Sequence, residues 1–315
     1  MPIQQPSTQA CDLCGGNYFE TVSQRDRKGH VLHTGLCLQC GLLCHQPMPS
    51  EADMLAYYRQ QYRRDYHGEN TPSPRRIMRA WHNGQRIADQ LIPHLTTATA
   101  VFEVGAGIGC TVKSLEERGI KARGIEPNKQ FNQYSRAILQ AAIENCNLFD
   151  LPLKGDQDMV LLVHVIEHFT SPVRALMAIR GILGDDGLLY MECPNVTAPF
   201  ATFSRLFHFA HTYNFSPETL VLLAKRCGFE CIERFTDANN PDIQMLFRKQ
   251  AVPEHIIPDE KQVQHVRASI HQFNTFSYHC RADYLSRRIA KLRGYWHEYR
   301  KADAFVQTLE SRFRA

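Results

Sequence analysis

Several features that would point to a membrane or secreted protein are missing from this sequence. No apolar run approaches the ~18 residues that a membrane-spanning helix needs. Residues 1–10 are polar and lack the basic-then-apolar pattern of a secretory signal. The net charge of +4 is too small to indicate a particular partner, and neither an internal repeat nor a low-complexity segment is present. We therefore predict a globular, cytoplasmic protein without a transmembrane segment.

The composition that is present is ordinary for such a protein. Of the 315 residues, 43% are hydrophobic and 22% are charged. This length leaves room for one sizeable domain with attachments, at about 100–200 residues per domain. The chain has 11 cysteines. Without a secretory signal, they indicate a reducing compartment in which some thiols bind metal.

Two matched C-x-x-C-G units lie near the start of the chain. Their thiols belong to Cys11, Cys14, Cys37 and Cys40. Two residues between thiols allow both sulfurs to face one ion, and four thiolates form the closed ligand set of a structural zinc ribbon. A redox C-x-x-C is the alternative, but it would not come as a pair. Cys44 and His45 lie close enough to substitute as ligands. We predict a ribbon over residues 1–47, with strands at 18–22 and 31–36.

The next segment, residues 48–95, is polar and basic. Its seven arginines between positions 59 and 86 are interleaved with aromatic residues, a composition suited to phosphate-bearing substrates or nucleic acid. The alternative is a solvated helical connector. Helices are predicted at 52–62 and 77–95, separated by a linker at 71–74.

The densest motif of the chain follows an apolar, β-branched-rich run at residues 99–104. Gly105, Gly107 and Gly109 occupy every second position, where a backbone without Cβ atoms can turn tightly and approach a ligand. A helical pattern then runs to Gly119, a glycine suited to end a helix. The next apolar run ends at Glu126, whose carboxylate can accept hydrogen bonds from both ribose hydroxyls. Strand, glycine turn and helix predict a nucleotide-type site, and the alternative is a glycine-rich turn without a ligand.

The spacing of these glycines separates two classes of cofactor. A dinucleotide site has G-x-G-x-x-G, but Cys110 stands at its third glycine position. The observed pattern, E-x-G-x-G-x-G from Glu103, resembles motif I of the class I S-adenosylmethionine (SAM)-dependent methyltransferases. The resemblance implies SAM as cofactor. It also places Asp150 at the adenine amine and Leu151 against the ring, whereas the plainer interpretation of Asp150 is a loop acid.

A second cluster of functional side chains follows the apolar strand at residues 159–163. The sequence His164-Val-Ile-Glu167-His168 comes at the carboxyl end of that strand, where such sheets bind ligands. With the strand at 187–195, this segment resembles the branch that contains ubiquinone-type and glycan-modifying methyltransferases. We predict that His164 contributes to the cofactor site and that Glu167 and His168 are catalytic. The alternative for each is a helix-start residue or a core histidine.

A third cluster is the aromatic and histidine-rich segment 207–215, predicted to form a lid over the acceptor. His211 in this segment is a second candidate base, because an imidazole with a pKa near 6.5 can take a proton at neutral pH. The alternative is aromatic packing within the loop. Strands at 229–235 and 243–248 then form the final antiparallel pair of the methyltransferase pattern.

The chain is therefore predicted to be an α/β protein with a Rossmann-like class I methyltransferase sheet. The sheet is mostly parallel, with the last strand antiparallel. The predicted divisions are a zinc ribbon (1–47), an arginine-rich helical connector (48–95), a methyltransferase domain (96–250) and a helical C-terminal extension (251–315). The extension has nine basic residues between positions 281 and 314. We expect it to pack on this protein or to pair with a second copy.

A four-cysteine ribbon ahead of such a domain looks like methyltransferases of sugar and polysaccharide biosynthesis. Those that methylate carbon have a large additional C-terminal α/β domain, for which this chain is too short. The resemblance therefore favours O-methylation of a sugar, nucleotide-sugar or glycan hydroxyl. The alternatives are an RNA methyltransferase, a methyltransferase of another small molecule such as a quinone or natural product, and a non-catalytic zinc-ribbon scaffold.

Overall fold

A computed structural model describes residues 4–6, 9–60, 72–198 and 201–313. Within these ranges the chain forms two compact units. The first comprises Met1–Leu55, Leu162–Gly181 and Leu188–Arg281, and the second comprises Ala56–Leu161, Ile182–Gly187 and Ala282–Ala315. Arg63 and Arg64 of the predicted basic connector lie outside the described residues.

The helices and strands are numbered in chain order. The strands are β1 (Gln4–Pro6), β2 (Tyr18–Arg25), β3 (Val31–Cys37), β4 (Leu43–His45), β5 (Ala100–Val104), β6 (Lys121–Ile125), β7 (Ile143–Glu144), β8 (Gln157–Val163), β9 (Leu183–Pro194), β10 (Tyr213–Asn214), β11 (Phe229–Arg234) and β12 (Asp242–Lys249). The α-helices are α1 (Glu51–Gln60), α2 (Pro74–Leu91), α3 (Cys110–Glu116), α4 (Lys129–Ala137), α5 (Pro172–Ile182), α6 (Pro217–Arg226), α7 (Glu260–Ile270), α8 (Thr275–His279) and α9 (Ala282–Phe313).

The larger sheet confirms the predicted α/β fold. Over the described ranges it has seven strands in the order β11-β12-β9-β8-β5-β6-β7. β5 pairs parallel with β6 and β6 with β7, whereas β12 is antiparallel to both β9 and β11. The predicted final antiparallel pair is thus present. Alternating strands and helices produce such a sheet because each crossover helix returns the chain to a parallel direction.

The register of β5 and β6 aligns the two ends that carry the predicted cofactor residues. Glu103 is opposite Gly124, and Val104 is opposite Ile125. A Cβ atom at Gly124 would stand 2.6 Å from the carbonyl oxygen of Glu103, so only glycine permits this approach. Both strands therefore end at one level, with the glycine turn after β5 and Glu126 after β6.

The smaller sheet belongs to the first unit and contains the predicted ribbon strands. Its order among the described residues is β1-β2-β3-β4-β10. β10 comes from the predicted lid segment and pairs antiparallel with β4, with Tyr213 opposite Cys44. The backbone N–H of Arg27 also donates to the carbonyl of Phe207 at 2.8 Å. The segment 207–215 is thus joined to the cysteine-bearing sheet by backbone hydrogen bonds, which the sequence did not indicate.

Several predicted boundaries were wrong. The sequence pattern predicts a helix that ends at Gln140, followed by a short strand at 143–149. α4 ends at Ala137 instead, since Gln140 has a φ of +51° that a right-handed helix cannot contain. The strand predicted at 143–149 is confined to β7, and a 3₁₀ turn follows at Leu148–Asp150. α2 ends at Leu91, ahead of a 3₁₀ turn that contains Pro93. Gly119 closes α3 as predicted, with φ +78° and its N–H bonded to the Glu116 carbonyl.

The C-terminal extension ends in the long helix α9, which packs on α2 within the second unit. Phe313 contacts Trp81 with ring centroids 5.8 Å apart, and Phe305 contacts His82 at 5.3 Å. Arg79 forms an ion pair with Glu298. The first half of α9 exposes large apolar side chains, and pairing with a second copy stays a prediction. None of the described helices combines the length and the apolar character that crossing a membrane requires.

Candidate functional site

The glycine turn after β5 forms an open backbone cradle. Gly105, Gly107 and Gly109 all have positive φ, at +72°, +58° and +80°. A Cβ atom at Gly107 would meet nothing within 4 Å, whereas one at Gly109 would lie 3.0 Å from the Cβ of Ala141. Gly107 therefore borders free space in which a ligand can lie against the backbone, and Gly109 allows close packing beneath it.

Glu126 connects the two loops that border this space. Its carboxylate accepts hydrogen bonds from the N–H of Gly107 at 2.9 Å and from the N–H of Asn128 at 2.7 Å. Its side chain is buried, with 6% of its surface exposed. The sequence indicated only a ribose ligand. The structure adds that Glu126 also holds the glycine turn in place.

Glu103 is a buried carboxyl at the base of the same turn. Its Oε2 atom is buried and has no hydrogen-bond partner. The pKa of Glu103 is raised to about 7, mainly by desolvation. The negative charge of Glu126 also raises this pKa, whereas a hydrogen bond from Thr111 lowers it. A buried carboxylate with an unpartnered oxygen fits a cationic group of a ligand, and the α-ammonium of SAM is such a group.

The remaining predicted cofactor residues are in different surroundings. Asp150 is exposed at the end of its 3₁₀ turn, where its carboxylate accepts from the backbone and side chain of Asn147 at 3.3 and 3.1 Å. Leu151 follows and is half-buried. His164 belongs to the first unit, where it lies beside Glu167 and Glu192. The roles of these residues toward a cofactor stay predictions.

The three predicted catalytic residues come together in the first unit. Glu167 and His168 lie in a 3₁₀ turn just after β8, and His211 comes from the segment before β10. Oε1 of Glu167 is 3.9 Å from Nε2 of His168 and 3.9 Å from Nε2 of His211. The carboxylate of Glu167 is 2% exposed, and neither of its oxygens has a hydrogen-bond partner.

His164 borders this cluster from a strained position. Its φ of +53° is uncommon for a residue with a Cβ, and such strain concentrates at functional sites. Its Nδ1 is 3.6 Å from Glu167 and its Nε2 is 3.4 Å from Glu192. Desolvation alone would lower the pKa of His164, but Glu167 and Glu192 together raise it to about 10.

His211 has the opposite electrostatic environment. Desolvation, with the neighbouring His208 and His168, holds its pKa well below the ordinary value. His208, which the sequence analysis includes in the predicted lid segment without a catalytic role, lies with its ring centroid 3.7 Å from that of His211. Its own pKa is lowered to about 3, mainly by desolvation. Both imidazoles are thus neutral at pH 7, and His211 has a free lone pair for a proton or a metal ion.

Comparison with known proteins identifies the family. The family model described as "Methyltransferase domain" matches residues 70–234, which is more than half of the chain. The chain belongs to this methyltransferase family. With the motif and cradle described above, it is a SAM-dependent methyltransferase.

A solved structure of a methyltransferase shares the fold of this chain. The 1,6-didemethyltoxoflavin-N1-methyltransferase of Burkholderia thailandensis, solved with its acceptor and S-adenosylhomocysteine (SAH), is 17% identical. The alignment covers 67% of this chain and 96% of that one, with a TM-score of 0.51. A SAM-dependent methyltransferase from Archaeoglobus fulgidus is 17% identical over 54% of this chain and 94% of its own, with a TM-score of 0.45. No curated protein matches this methyltransferase.

The methyltransferase also brings its four predicted metal-ligand cysteines together. Their sulfur atoms all lie within 4.8 Å of one another, and the pairs Cys11–Cys40 and Cys14–Cys37 are 3.7 and 3.5 Å apart. Thiolates about 2.3 Å from a tetrahedral zinc ion are about 3.8 Å from each other, so the geometry fits one ion. Gly15 and Gly41 have positive φ, as expected for turns that aim backbone N–H groups at the sulfurs. Cys44 and His45 are not part of the group.

Proposed function

We propose that this methyltransferase methylates a hydroxyl oxygen of a sugar, nucleotide sugar or glycan. The observation that carries the proposal is the Glu167–His168–His211 cluster. A hydroxyl becomes a good nucleophile only as its proton leaves, so an O-methyltransferase needs a proton acceptor near the acceptor oxygen. A buried carboxyl group beside two imidazoles supplies that chemistry. An amine or thiol acceptor would depend less on such a proton acceptor.

The cofactor cradle has a separate task. Bound SAM supplies an electrophilic methyl group on a sulfonium. The backbone at Gly107 leaves space for this cofactor, Glu126 is positioned to take ribose hydroxyls, and Glu103 offers its unpartnered oxygen to the ammonium. Asp150 and Leu151 are proposed to recognise the adenine.

The proton transfer is assigned to the imidazoles. Nδ1 of His168 lies 2.8 Å from the carbonyl oxygen of Ala210, which only accepts, so Nδ1 carries a hydrogen and Nε2 is its basic nitrogen. We propose that His168 or His211 receives the hydroxyl proton and that Glu167 stabilises the resulting imidazolium. The C–O bond forms as the C–S bond breaks and sulfur keeps the electron pair, so no covalent enzyme intermediate is required.

The connector arginines favour a small or glycan acceptor over RNA. Arg79 pairs with Glu298, and Arg86 donates to Asn83 and Gln90. Side chains that are engaged within the protein are less available for a phosphate backbone. The RNA alternative predicts binding that weakens steeply with salt, because each phosphate contact releases counterions.

The experiment that tests the proposal has two stages. The first is calorimetric titration of the full-length protein with SAH, in parallel with the Glu126→Ala variant. Binding by the wild type that is lost in the variant would place the cofactor at the glycine turn. The second is mass spectrometry of nucleotide sugars, glycans, quinones and RNA incubated with enzyme and methyl-deuterated SAM, followed by localisation of the label. A label on nitrogen or carbon, or on RNA alone, contradicts the proposal.

Failure to bind SAH by folded protein would favour the scaffold alternative. The buried Glu103 and the open cradle at Gly107 argue against that alternative, since a protein without a ligand gains nothing from a desolvated carboxyl.

We further propose that the four cysteines hold a structural zinc ion. The ion would connect the segment before β2 to the end of β3, and so stabilise a sheet that is too small to have a large hydrophobic core. Elemental analysis should detect zinc that is lost in Cys37→Ser but retained in Cys280→Ser, a matched change at an exposed cysteine outside the group. Equal zinc in the two variants would refute the assignment.

A further inference from the structure

The cluster of Glu167, His168 and His211 has a second chemical property that proton transfer does not explain. One ligand atom from each residue lies within 4.8 Å of the other two. The carboxylate is almost fully buried and lacks any hydrogen-bond donor. Buried polar groups normally have a hydrogen-bond partner, and an exception calls for an explanation such as a bound ion. We propose that these three residues bind one divalent transition-metal ion.

The distances between the Glu167 carboxylate and the surrounding imidazole nitrogens leave room for one metal ion. Three imidazole nitrogens surround its Oε1 atom: Nδ1 of His164 at 3.6 Å, and Nε2 of His168 and of His211 at 3.9 Å. None is close enough for a hydrogen bond. Nitrogen and oxygen ligands about 2.0–2.2 Å from one ion are about 3–4 Å from each other, which is the spacing found here.

The orientation of His168 is that of a metal ligand. Its Nδ1–H donates to the backbone carbonyl of Ala210 at 2.8 Å. Imidazoles that bind metals almost always donate their other N–H to a carboxylate or backbone carbonyl, which fixes the tautomer and directs the lone pair at the ion. Here the lone pair of Nε2 is on the side of Glu167.

The loop that carries His211 is anchored to the same turn. The hydroxyl of Thr212 donates to the carbonyls of Glu167 and Phe169, at 3.1 and 2.8 Å. These bonds fix the distance between His211 and Glu167 although the two are far apart in sequence. A donor set that is positioned before the ion arrives is what a metal site requires.

Two imidazoles and one carboxylate leave coordination positions open, which distinguishes a catalytic from a structural site. An acceptor hydroxyl in one of those positions would have its pKa lowered by the ion and would lose its proton to solvent. In the metal-bound enzyme the ion thus takes over the activation of the hydroxyl that His168 or His211 would perform as a base without it. The catalytic role rests on the proposed function, whereas the binding of the ion does not.

The test uses the full-length protein with zinc limited to one equivalent per chain, which the four thiolates take in preference, and Mn²⁺ as the probe. Thiolates disfavour Mn²⁺, whereas imidazole and carboxylate ligands accept it, so the probe separates the two sites. Equilibrium binding, followed by the EPR signal of free Mn²⁺, should show one saturable site per chain. Glu167→Gln and His211→Ala should weaken it by more than the ~10–100-fold that outer-shell changes produce. His30→Ala, at an exposed imidazole remote in sequence, should bind as the wild type does.

Thermal unfolding provides a second measurement. Glu167→Gln replaces a ligand carboxylate by an amide, so the variant should lose the rise in unfolding temperature that Mn²⁺ gives the wild type. Absence of saturable Mn²⁺ binding in the wild type, or equal binding in Glu167→Gln, overturns the proposal. SAH titration of the same samples distinguishes this failure from failure of the methyltransferase proposal, because the cradle residues are unchanged.

Discussion

The buried carboxyl of Glu103 leads to the most quantitative prediction. Folding raises its pKa from 4.5 to about 7, and desolvation is the main cause. At about 1.4 kcal/mol per pKa unit, the ionised carboxylate destabilises the folded protein by about 3 kcal/mol above pH 7. Glu103→Gln keeps the shape of the side chain and removes the charge. We therefore expect this variant to be more stable than the wild type at pH 8.5, by on the order of 3 kcal/mol.

The pH dependence has a definite sign. Because the folded pKa is higher than the unfolded one, the protonated carboxyl stabilises the wild type fully below about pH 4.5, and this stabilisation is lost as the pH rises to about 7. The difference between Glu103→Gln and the wild type should accordingly disappear at pH 4.5. Urea unfolding at a series of pH values measures this difference in the free energy of unfolding. Glu144→Gln, at an exposed carboxyl, is the control.

Adding the ligand should narrow the stability difference between the two proteins. If Glu103 holds the ammonium, SAH at 100 times its Kd stabilises the wild type by about 2.7 kcal/mol and stabilises Glu103→Gln by less at the same concentration. A variant that is less stable than the wild type at pH 8.5, or whose stability difference is independent of pH, would refute the reasoning.

Three further predictions concern local geometry. Gly107→Ala should abolish SAH binding and destabilise the fold by only the ~1–2 kcal/mol that a left-handed conformation costs a residue with a Cβ. Gly109→Ala should lower the stability measured by urea unfolding by more, because its Cβ also meets side chains at 3.0–3.2 Å. Trp81→Ala should lower the free energy of unfolding by about 3–5 kcal/mol and release Phe313 of α9 to limited proteolysis; unchanged digestion would contradict the packing of α9 on α2. Thr212→Val should destabilise by about 1–3 kcal/mol, measured by thermal unfolding, because two buried carbonyls lose their donor.

The sequence predicted the glycine turn after β5 well because backbone sterics determine it. Only glycine takes positive φ readily, so glycines at alternate positions after an apolar run indicate the turn without knowledge of the rest of the chain. The end of α3 just before Gly119 follows the same rule. The start of α4 follows a different local rule, since the side chain of Asn128 caps the helix by accepting from the N–H of Phe131 at 3.1 Å. Turns and helix ends could be predicted because they depend on residues that are neighbours in the sequence.

What could not be predicted depends on contacts between distant segments. Nothing in the sequence indicates that β10 adds to the sheet of the cysteines. α4 ends early because Gln140 adopts a left-handed conformation, which residue type alone does not indicate. The hydrogen bonds from Gly107 and Asn128 to Glu126 likewise depend on the register of two strands.

These long-range contacts give the cysteine module a role beyond its own stability. β3 ends at Cys37 and pairs with β4, and β4 pairs with β10. Thr212, immediately before β10, bonds the turn that contains Glu167. The backbone N–H of His45 donates to the carbonyl of Thr212 at 3.0 Å, so the connection is direct. An ion held by the cysteines would thereby restrict the position of His211 relative to Glu167. Because a displacement of about 1 Å can reduce catalysis by about 100-fold, the cysteine site is expected to affect catalysis through the geometry of this cluster as well as folding.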